Sequence, residues 1–441
     1  MKILIINTLD IYGGAAIAAF RLHEALLQNG VDSTMLVREK KSDVNTIITL
    51  QNKNLREKII GKLSKIIGIT LEGLFLIKYR KTITKNFGSF SQQIVSNRNL
   101  VKTINAINPD IVHLHWICYG FLSIEDIAKI KSPIVWSLHD MWAFTGGCHV
   151  VAEQVPQHSD KGMSRCCYDI DKMCNKYVEN CGNCGVLRSV KKKDLSFRIL
   201  QRKKRVFARI KSMTIVGVSK WMTDCAKKSA VFSNRRVVCL PNPINTNVFK
   251  QMDKIQARKL WNLPIGKKLI LFGAVSATST PYKGYDLLIE ALNKISSPDI
   301  EFVVFGSSEP KDSPKLPHKI YYLGHLNDAE SLVALYSACD VMVHPSMREA
   351  FGQTASESLS CGTPVVAFGH SGLLDVIEHK ENGYLAQPFD TSDLAKGIDW
   401  ALNAENYDDL CKNAREKVLR EFNYGVVAKK YIELYKEVLK E

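Results

Sequence analysis

The sequence predicts an α/β protein built from two doubly wound domains. Short apolar runs of β type alternate with helical runs, which is typical of a parallel sheet covered by helices on both faces. The length of 441 residues exceeds one typical hydrophobic core. The alternation breaks at PNPINTNVF, residues 241–249, and then restarts. These observations predict a domain boundary near residue 243.

The first predicted domain comprises residues 1–242. The run KILIIN is predicted as its first strand, and the helix AAIAAFRLHEALLQNG ends at Gly30. Further strands are predicted in STMLV, DIVHLHW, PIVWSLHD, SMTIVGVS and RVVCL. The first ten residues do not have the cleavage-site pattern of a signal peptide, so we expect a cytoplasmic protein.

The second predicted domain comprises residues 243–422. Its strands are predicted in KKLILFGAVS, IEFVVFGSS, DVMVHPS and PVVAFG, and its helices in YDLLIEALNKI and AESLVALYSA. Residues 423–441 form a further helix with an apolar stripe of Val427, Tyr431, Leu434 and Val438, which we expect to pack back on the first domain. Ligands of such sheets bind beyond the carboxyl ends of the strands, so the cleft between two such domains is the expected site.

The net charge of +16 is concentrated in two segments. Residues 53–86 have a balance of +7 and residues 188–211 a balance of +10. Apolar residues at helical spacing in the first segment favour a basic amphipathic helix on an anionic membrane surface, although a helix packed on its own domain has the same pattern. We expect peripheral contact of both segments with the inner face of the cell membrane, and no spanning helix. No nucleic-acid-binding motif accompanies the charge, so nucleic acid is not an expected partner.

Two glutamates lie eight positions apart in MREAFGQTASESLSCGTP, residues 347–364. Glu349 is predicted in a loop after a strand, and Glu357 one turn inside a helix that begins at Thr354. Thr354-x-x-Glu357 fits a capping box, and Glu349 alone fits a solvated loop acid. As a functional pair they fit an anion site, with a phosphate on the helix amides near Gly352, sugar hydroxyls on Glu349 and a ribose diol on Glu357.

A longer stretch around these glutamates resembles a known signature. HPSMREAFGQTASESLSCGTPVVAF, followed by GHSGLLDVIEHKENGYLA, is similar to the Glu-x7-Glu region of the retaining GT-B glycosyltransferases of group 1, which build bacterial capsule, O-antigen and exopolysaccharide. The glycine pair after the first strand, PNPINTNVF at the junction and YKG in the second domain extend the likeness. The resemblance implies the GT-B fold, two Rossmann-like domains facing a central cleft, with no catalytic metal.

The resemblance also implies roles for individual residues. Glu349 corresponds to the glutamate that contacts the donor sugar's hydroxyls near the reacting carbon, and Glu357 to the one that holds the ribose. Lys283 corresponds to the lysine on the donor diphosphate, and His139 to a histidine beside the donor sugar. Asp140 is placed to orient the His139 ring. Family members often have an arginine a few residues before the lysine, and the stretch FGAVSATSTPYKG has none.

Backbone groups complete the predicted donor site. Gly13 and Gly14 would let the chain approach the donor phosphates or the acceptor, and a plain tight turn explains them equally well. Gly352, Gln353 and Thr354 would present helix amides to a phosphate.

Six of the twelve cysteines fall between residues 148 and 184. The C-x2-C pair of Cys181 and Cys184 suits one side of a tetrahedral metal. We predict a structural zinc site of Cys148, Cys167, Cys181 and Cys184. Other third or fourth ligands fit the spacing, as do reduced thiols, an iron–sulfur cluster or disulfides; the residues that compete for these positions are Cys166, Cys174, His149 and His158.

The sequence therefore predicts a retaining glycosyltransferase. We expect it to move a hexosyl residue from a UDP- or GDP-sugar to a saccharide or lipid-linked saccharide in cell-surface polysaccharide biosynthesis. Two alternatives remain at this point. One is a nucleotide-sugar epimerase of the same fold, and the other is a non-catalytic membrane-associated scaffold.

Overall fold

The computed structural model describes residues 1–50, 76–79, 90–150, 174–274, 278–310, 316–326 and 328–441. The contacts within the chain divide it into two compact units. The N-terminal unit contains residues 1–240 together with 428–441, and the C-terminal unit contains residues 241–427. The predicted boundaries, near 243 and at 423, lie within a few residues of these divisions.

Each unit is built on a fully parallel sheet, which confirms the predicted fold class. In the described residues, the sheet of the N-terminal unit has the order β3-β2-β1-β4-β5-β6-β7 and that of the C-terminal unit β10-β9-β8-β11-β12-β13. The strands are β1 Lys2–Leu9, β2 Asp32–Glu39, β3 Ile47–Thr49, β4 Ile111–Leu114, β5 Ile134–Leu138, β6 Met213–Gly217, β7 Arg236–Cys239, β8 Lys268–Gly273, β9 Ile300–Phe305, β10 Ile320–Tyr322, β11 Val341–His344, β12 Val365–Phe368 and β13 Gly383–Ala386.

The order of the strands identifies one special position in each sheet. The chain winds outward in one direction from β1 and in the other from β4, and it does the same from β8 and β11. In open α/β sheets, ligands bind at such a switch point, beyond the carboxyl ends of the two central strands. The loops after β1 and β4, and those after β8 and β11, are therefore the expected ligand-binding loops.

Helices follow most of the strands. Many begin at a side chain that accepts a backbone N–H of the first turn, among them Asn97, Asp194 and Ser219. The helices are α1 Gly14–Gln28, α2 Arg98–Ile107, α3 Ile124–Ile127, α4 Leu195–Phe207, α5 Lys220–Lys228, α6 Lys254–Leu260, α7 Tyr285–Leu292, α8 Ala329–Ala338, α9 Gln353–Ser360, α10 Leu373–Val376, α11 Thr391–Leu402, α12 Tyr407–Glu421 and α13 Tyr424–Val438. Short 3₁₀ turns occupy Trp142–Phe144, Lys176–Val178 and Pro281–Lys283.

The last helix, α13, buries the apolar stripe that the sequence shows. From residue 428 onward the helix belongs to the N-terminal unit. Its Tyr435 hydroxyl lies 2.7 Å from Nδ1 of His113, and its Tyr431 hydroxyl lies 3.1 Å from the Ser137 hydroxyl. These buried polar contacts fix the helix against strands β4 and β5.

The two basic segments differ in what the structure describes. Nearly all of residues 53–86 lies outside the described residues. In the segment 188–211, Lys203 is buried and Arg202 pairs with Glu125. Of the other cations, Lys204 is half-buried, and the exposed ones are Arg188, Lys191, Lys192, Lys193, Arg198, Arg205, Arg209 and Lys211. Among the described helices, none combines the length and the apolar character needed to cross a bilayer.

Candidate active site

The switch point of the C-terminal unit brings Lys283 and Glu349 together. Lys283 closes the 3₁₀ turn that follows β8, and Glu349 lies in the loop that follows β11. The Lys283 ammonium donates a hydrogen bond of 2.6 Å to Oε1 of Glu349. The two side chains are 18% and 16% exposed, so the ion pair is largely withdrawn from water.

Each member of this pair keeps the other ionised. Burial alone would raise the pKa of Glu349, but the Lys283 charge, His344 and hydrogen bonds from Lys283 and Ser346 outweigh it, so the pKa lies below its usual value. Burial alone would lower the pKa of Lys283, but the charge of the Glu349 carboxylate outweighs burial. The pKa of Lys283 therefore lies above its usual value. At neutral pH the site holds one fixed cation and one fixed anion.

His344 is a third member of this cluster, to which the sequence analysis assigned no role. It is the last residue of β11, and its Nε2 lies 3.9 Å from Oε1 of Glu349. Burial lowers its pKa to about 4, so the ring is neutral at pH 7. Its Nδ1 is buried and has no hydrogen-bond partner within the described ranges. The only sequence signal was its place in the HPS stretch at a strand end.

The helix after Glu349 begins at Gly352, and the predicted capping box is wrong. Gly352 is the N-cap with φ 101°, a conformation that favours glycine, and it provides no side-chain cap. Gln353 and Thr354 are already inside α9, so Thr354 is not the capping residue. The first turn of α9 therefore starts without a side-chain cap, next to Glu349, as an anion site would require.

Glu357 has a different partner from the one that a capping box requires. Its side chain is buried, and its Oε2 accepts a hydrogen bond of 2.8 Å from the hydroxyl of Tyr336 in α8. The glutamate is thus held by a neighbouring helix. Its role in holding a ribose stays a prediction.

His139 follows β5 in the N-terminal unit and pairs with a second histidine. Its Nε2 lies 2.8 Å from Nδ1 of His115, which follows the neighbouring strand β4, and the two rings stack with centroids 5.0 Å apart. Burial lowers the pKa of His139 to about 4 in spite of the nearby Asp140 carboxylate, and it lowers the pKa of His115 well below its usual value. Both rings are therefore neutral and share one N–H···N hydrogen bond. Within the described part of the chain, Nε2 of His115 is buried without a partner.

Asp140 does not orient His139 as predicted. Its carboxylate accepts hydrogen bonds from the Trp116 indole at 2.7 Å and from the Trp142 backbone at 2.8 Å, and it lies 2.6 Å from Nδ1 of His149. It fixes the Trp116 indole, which lines the same small pocket as His115 and His139, and it fixes the His149 ring, whose centroid lies 5.7 Å from that of Trp116. The orientation of His139 comes instead from His115.

The glycine pair of the first turn lies at the other side of the N-terminal switch point. Gly13 precedes α1 with φ 88° and no side-chain cap. Within the described residues, no heavy atom lies within 4 Å of a Cβ built on Gly13 or Gly14. The positive φ explains Gly13, while Gly14 leaves open backbone surface that a ligand can approach.

The predicted zinc ligands are only partly described. Cys148, Cys181 and Cys184 are free thiols in the structure, and Cys167 lies outside the described residues. Within the described ranges, no three His, Cys, Asp or Glu side chains are already arranged to share an ion.

Two sequence profiles of known families match this chain. The sequence profile described as Glycosyltransferase Family 4 matches residues 12–248, more than half of the 441 residues. The chain belongs to this family. The profile described as Glycosyl transferases group 1 matches residues 253–418, which contain Lys283, Glu349 and Glu357.

Curated relatives of this family 4 chain match parts of it. An uncharacterized glycosyltransferase of Methanocaldococcus jannaschii is 31% identical over 42% of this chain and 48% of its own length. The D-inositol 3-phosphate glycosyltransferase of Stackebrandtia nassauensis is 30% identical over 37% of this chain and 40% of its own. The N,N'-diacetylbacillosaminyl-diphospho-undecaprenol alpha-1,3-N-acetylgalactosaminyltransferase of Campylobacter jejuni is 26% identical over 46% and 55%. The chain thus spans about half the length of the curated relatives it matches.

Solved structures support the fold over the whole family 4 chain. The sucrose-phosphate synthase of Thermosynechococcus elongatus superposes with a TM-score of 0.66 at 19% identity, covering 100% of this chain and 99% of that one. Anabaena HepE in complex with UDP-glucose gives a TM-score of 0.63 at 15% identity, covering 99% and 100%. At these identities the likeness concerns the fold.

Proposed function

We propose that the chain is a retaining hexosyltransferase that uses a nucleoside diphosphate sugar as donor. The observation that carries the proposal is the Lys283–Glu349 ion pair at the switch point of the C-terminal unit, beside the start of α9. The cation suits a diphosphate, and the carboxylate suits sugar hydroxyls. The solved structure of HepE with UDP-glucose supports a nucleotide-sugar donor on this fold.

The proposed reaction breaks the bond between the sugar's anomeric carbon and the diphosphate oxygen. The acceptor hydroxyl attacks from the face that the diphosphate leaves, and its proton passes to the departing phosphate. Lys283 stabilises the negative charge that grows on that phosphate, an effect that is strongest when the cation is already in place. Glu349 accepts hydroxyl hydrogens of the sugar and keeps it oriented. No further base is needed in this scheme.

The remaining predicted residues take supporting roles. The amides of Gly352, Gln353 and Thr354 bind the diphosphate at the helix start, where the partial positive charge lies. Glu357 binds the ribose. In the N-terminal unit, Gly13 and Gly14 provide backbone N–H groups, and His139 contacts the donor sugar as a neutral hydrogen-bonding group.

The donor nucleoside is uridine or guanosine, and the acceptor is a saccharide or a lipid-linked saccharide in cell-surface polysaccharide biosynthesis. The name of the Campylobacter jejuni relative, which includes a diphospho-undecaprenol acceptor, supports this acceptor class. The exposed cations of residues 188–211 suit an anionic membrane that would hold such an acceptor. The predicted contact of residues 53–86 lies almost wholly outside the described residues.

The direct test is a panel of UDP- and GDP-sugars scored by thermal shift, hydrolysis and transfer, with the anomeric configuration of the product read by NMR. Glu349→Gln should abolish transfer and leave the circular dichroism spectrum unchanged. Glu290→Gln is the matched control, because Glu290 also pairs with a lysine in this unit, but at 3.3 Å and on the surface. Full transfer by Glu349→Gln, or an inverted product, contradicts the proposal.

The same panel separates the alternatives. Conversion of the donor sugar without any acceptor would indicate an epimerase. A melting temperature that no nucleotide changes would indicate a non-catalytic scaffold. For the membrane contact, the chain should pellet with anionic vesicles at low salt, and replacement of Lys191, Lys192 and Lys193 by Glu should reduce that binding. Equal pelleting with neutral vesicles would exclude an electrostatic contact.

A further inference from the structure

Four cysteines from distant positions gather in the N-terminal unit. Cys148 belongs to the loop after β5, and Cys174, Cys181 and Cys184 belong to the segment before α4. The Cys148 thiol donates a hydrogen bond to the sulfur of Cys184. The sulfurs of Cys174 and Cys181 lie close enough to interact electrostatically with Cys148 and with each other. The structure therefore joins the C-x2-C pair to two further thiols.

The backbone around the C-x2-C pair supports negative charge on sulfur. The backbone N–H groups of Val186 and Leu187 donate to the sulfur of Cys184. The N–H of Gly146 donates to the sulfur of Cys181. A Cβ at Gly146 would lie 2.4 Å from the Ser196 carbonyl oxygen and 2.9 Å from Cβ of Cys181. The loop of Cys148 is thus packed tightly on the C-x2-C segment, and N–H donors stabilise thiolates there.

A buried lysine lies next to the thiols. Lys203 in α4 is fully buried, and its side-chain nitrogen donates to the carbonyl oxygens of Trp142 and of Thr145. It also lies 3.7 Å from the centroid of the Trp142 ring. These partners are neutral, so nearby negative charge would favour the ammonium form of the lysine. The Asp140 carboxylate is one such charge, and thiolates at Cys148 and Cys181 would add to it.

We propose that Cys148, Cys174, Cys181 and Cys184 bind one Zn²⁺ as a structural four-thiolate site. This inference is independent of the proposed transfer reaction. It takes Cys174 as the fourth ligand in place of Cys167, because Cys174 is a described residue that interacts electrostatically with Cys148 and Cys181. On binding, the ion would take the place of the hydrogen bond between Cys148 and Cys184.

The charge balance of the site is favourable. Each thiol that binds the ion releases a proton, and four thiolates with Zn²⁺ carry a net charge of −2. Lys203 lies next to two of the ligands, and their negative charge would favour its ammonium form, which in turn offsets part of that charge. Zinc is the soft, redox-inactive ion that a closed tetrahedral set of thiolates selects. Because the loop of Cys148 also includes Trp142 and Thr145, the ion would anchor the residues that follow His139.

The test is the metal content of the full-length chain purified without added metal or chelator. We expect about one zinc per chain by mass spectrometry. Cys174→Ser and Cys184→Ser should lose most of it, while Cys167→Ser and Cys239→Ser should retain it. Cys239→Ser is a matched control, because Cys239 is an exposed thiol at the end of β7.

A measurement on the unaltered chain tests the proposal even if the cysteine variants fail to fold. The chain stripped with a chelator and reloaded with Co²⁺ should show the visible bands of tetrahedral thiolate-bound cobalt. Zinc retained by Cys174→Ser but lost by Cys167→Ser would overturn the ligand set. Iron in place of zinc, a disulfide between Cys148 and Cys184, or rapid reaction of all four thiols with a thiol reagent in the untreated chain would overturn the metal.

Discussion

The two units differ in the charge state of the groups at the centre of their switch-point sites, which are ionised in one unit and neutral in the other. In the C-terminal unit, Lys283 and Glu349 are ionised, because each offsets the desolvation of the other. In the N-terminal unit, burial keeps three neighbouring histidines neutral, with pKa values of about 3 for His113, about 4 for His139 and well below the usual value for His115. The first site is centred on an ion pair with neutral His344 beside it, and the second is centred on neutral rings with the Asp140 carboxylate beside them.

This difference indicates which ligand groups each site suits. A charged diphosphate gains most from a cation that is already in place and desolvated. Sugar hydroxyls carry no net charge, and neutral imidazoles bind them without the cost of burying an imidazolium. On the proposed function, the Lys283 cation stabilises the leaving group, whereas the sugar is bound by the Glu349 carboxylate and by a neutral ring, His139.

The largest effect on transfer is expected from removing the Lys283 cation, on which the contrast between the two sites depends. Lys283→Gln should lower kcat for transfer by about 10²–10³-fold, as loss of one preorganised charge stabiliser does in other enzymes. It also leaves the buried Glu349 without its counter-charge, so the pKa of that carboxyl should rise. Steady-state kinetics with saturating acceptor measure the effect, and calorimetry measures the affinity for the free nucleoside diphosphate.

Lys294→Gln is the matched control for this variant. Lys294 pairs with Glu290 at 3.3 Å on the surface of the same unit, where an ion pair contributes about 1 kcal/mol or less. Its transfer rate should equal that of the unaltered chain. If both variants lose the same activity, the effect is on folding, and Lys283 has no special role.

The histidine pair of the N-terminal unit should produce the next largest effect. His139→Ala and His115→Ala should each lower kcat/KM by about 10-fold or more, because either change leaves a buried nitrogen unsatisfied. The double variant should cost less than the sum, with a coupling of about 0.5–3 kcal/mol. Kinetics on the four chains of this cycle give the coupling, and circular dichroism checks the fold. Additive losses would mean that His115 does not act through His139.

The sequence alone predicted the parallel sheets and the positions of the loops that follow the central strands. The stretches ILII of KILIIN and VMV of DVMVHPS are apolar without alternation, as strands buried on both faces are, and they lie in β1 and β11. The edge strands β3, β10 and β13 were not predicted. They are three or four residues long, too short for a pattern of their own.

The partners of the site residues were harder to predict than their positions. Thr354-x-x-Glu357 matches the sequence pattern of a capping box. In the structure, however, Gly352 is the N-cap, and the Glu357 carboxylate accepts a hydrogen bond from Tyr336. Asp140 is next to His139 in sequence, yet its partners come from Trp116, Trp142 and His149. The pairing of His115 with His139 had a usable signal, because each follows directly the end of one of two adjacent strands. Side-chain partners depend on tertiary packing, which a single local pattern does not contain.

A smaller effect on transfer is expected from loss of the Tyr336 hydroxyl, a neutral group that contacts Glu357. Tyr336→Phe removes the hydroxyl that donates to Glu357. We expect a cost of about 1 kcal/mol, seen as a several-fold rise in donor KM with kcat nearly unchanged. The matched control is Tyr321→Phe, because the Tyr321 hydroxyl donates to Glu301 at 2.6 Å in β9 and β10, away from the switch point. A lower kcat with unchanged KM would contradict a ribose-holding role for Glu357.

The smallest expected effect is the response of transfer to pH. The pKa values of His139 and His344 are lowered to about 4, so neither ring changes charge between about pH 6 and 8, the range in which an ordinary histidine titrates. The lowered pKa of Glu349 keeps it ionised until the pH falls below the usual glutamate range, and the raised pKa of Lys283 keeps it charged until the pH rises above the usual lysine range.

The profile of kcat/KM at constant ionic strength should therefore be flat across neutral pH, with an acid limb from Glu349 and the histidines and an alkaline limb from Lys283. A limb near the ordinary histidine pKa of about 6.5 would show that one ring is wetter than the structure indicates. The His139→Gln variant then identifies the ring, because the limb disappears only if His139 causes it. Such a result would remove the contrast between a charged and a neutral site, since the N-terminal unit would also bring a charge to the reaction.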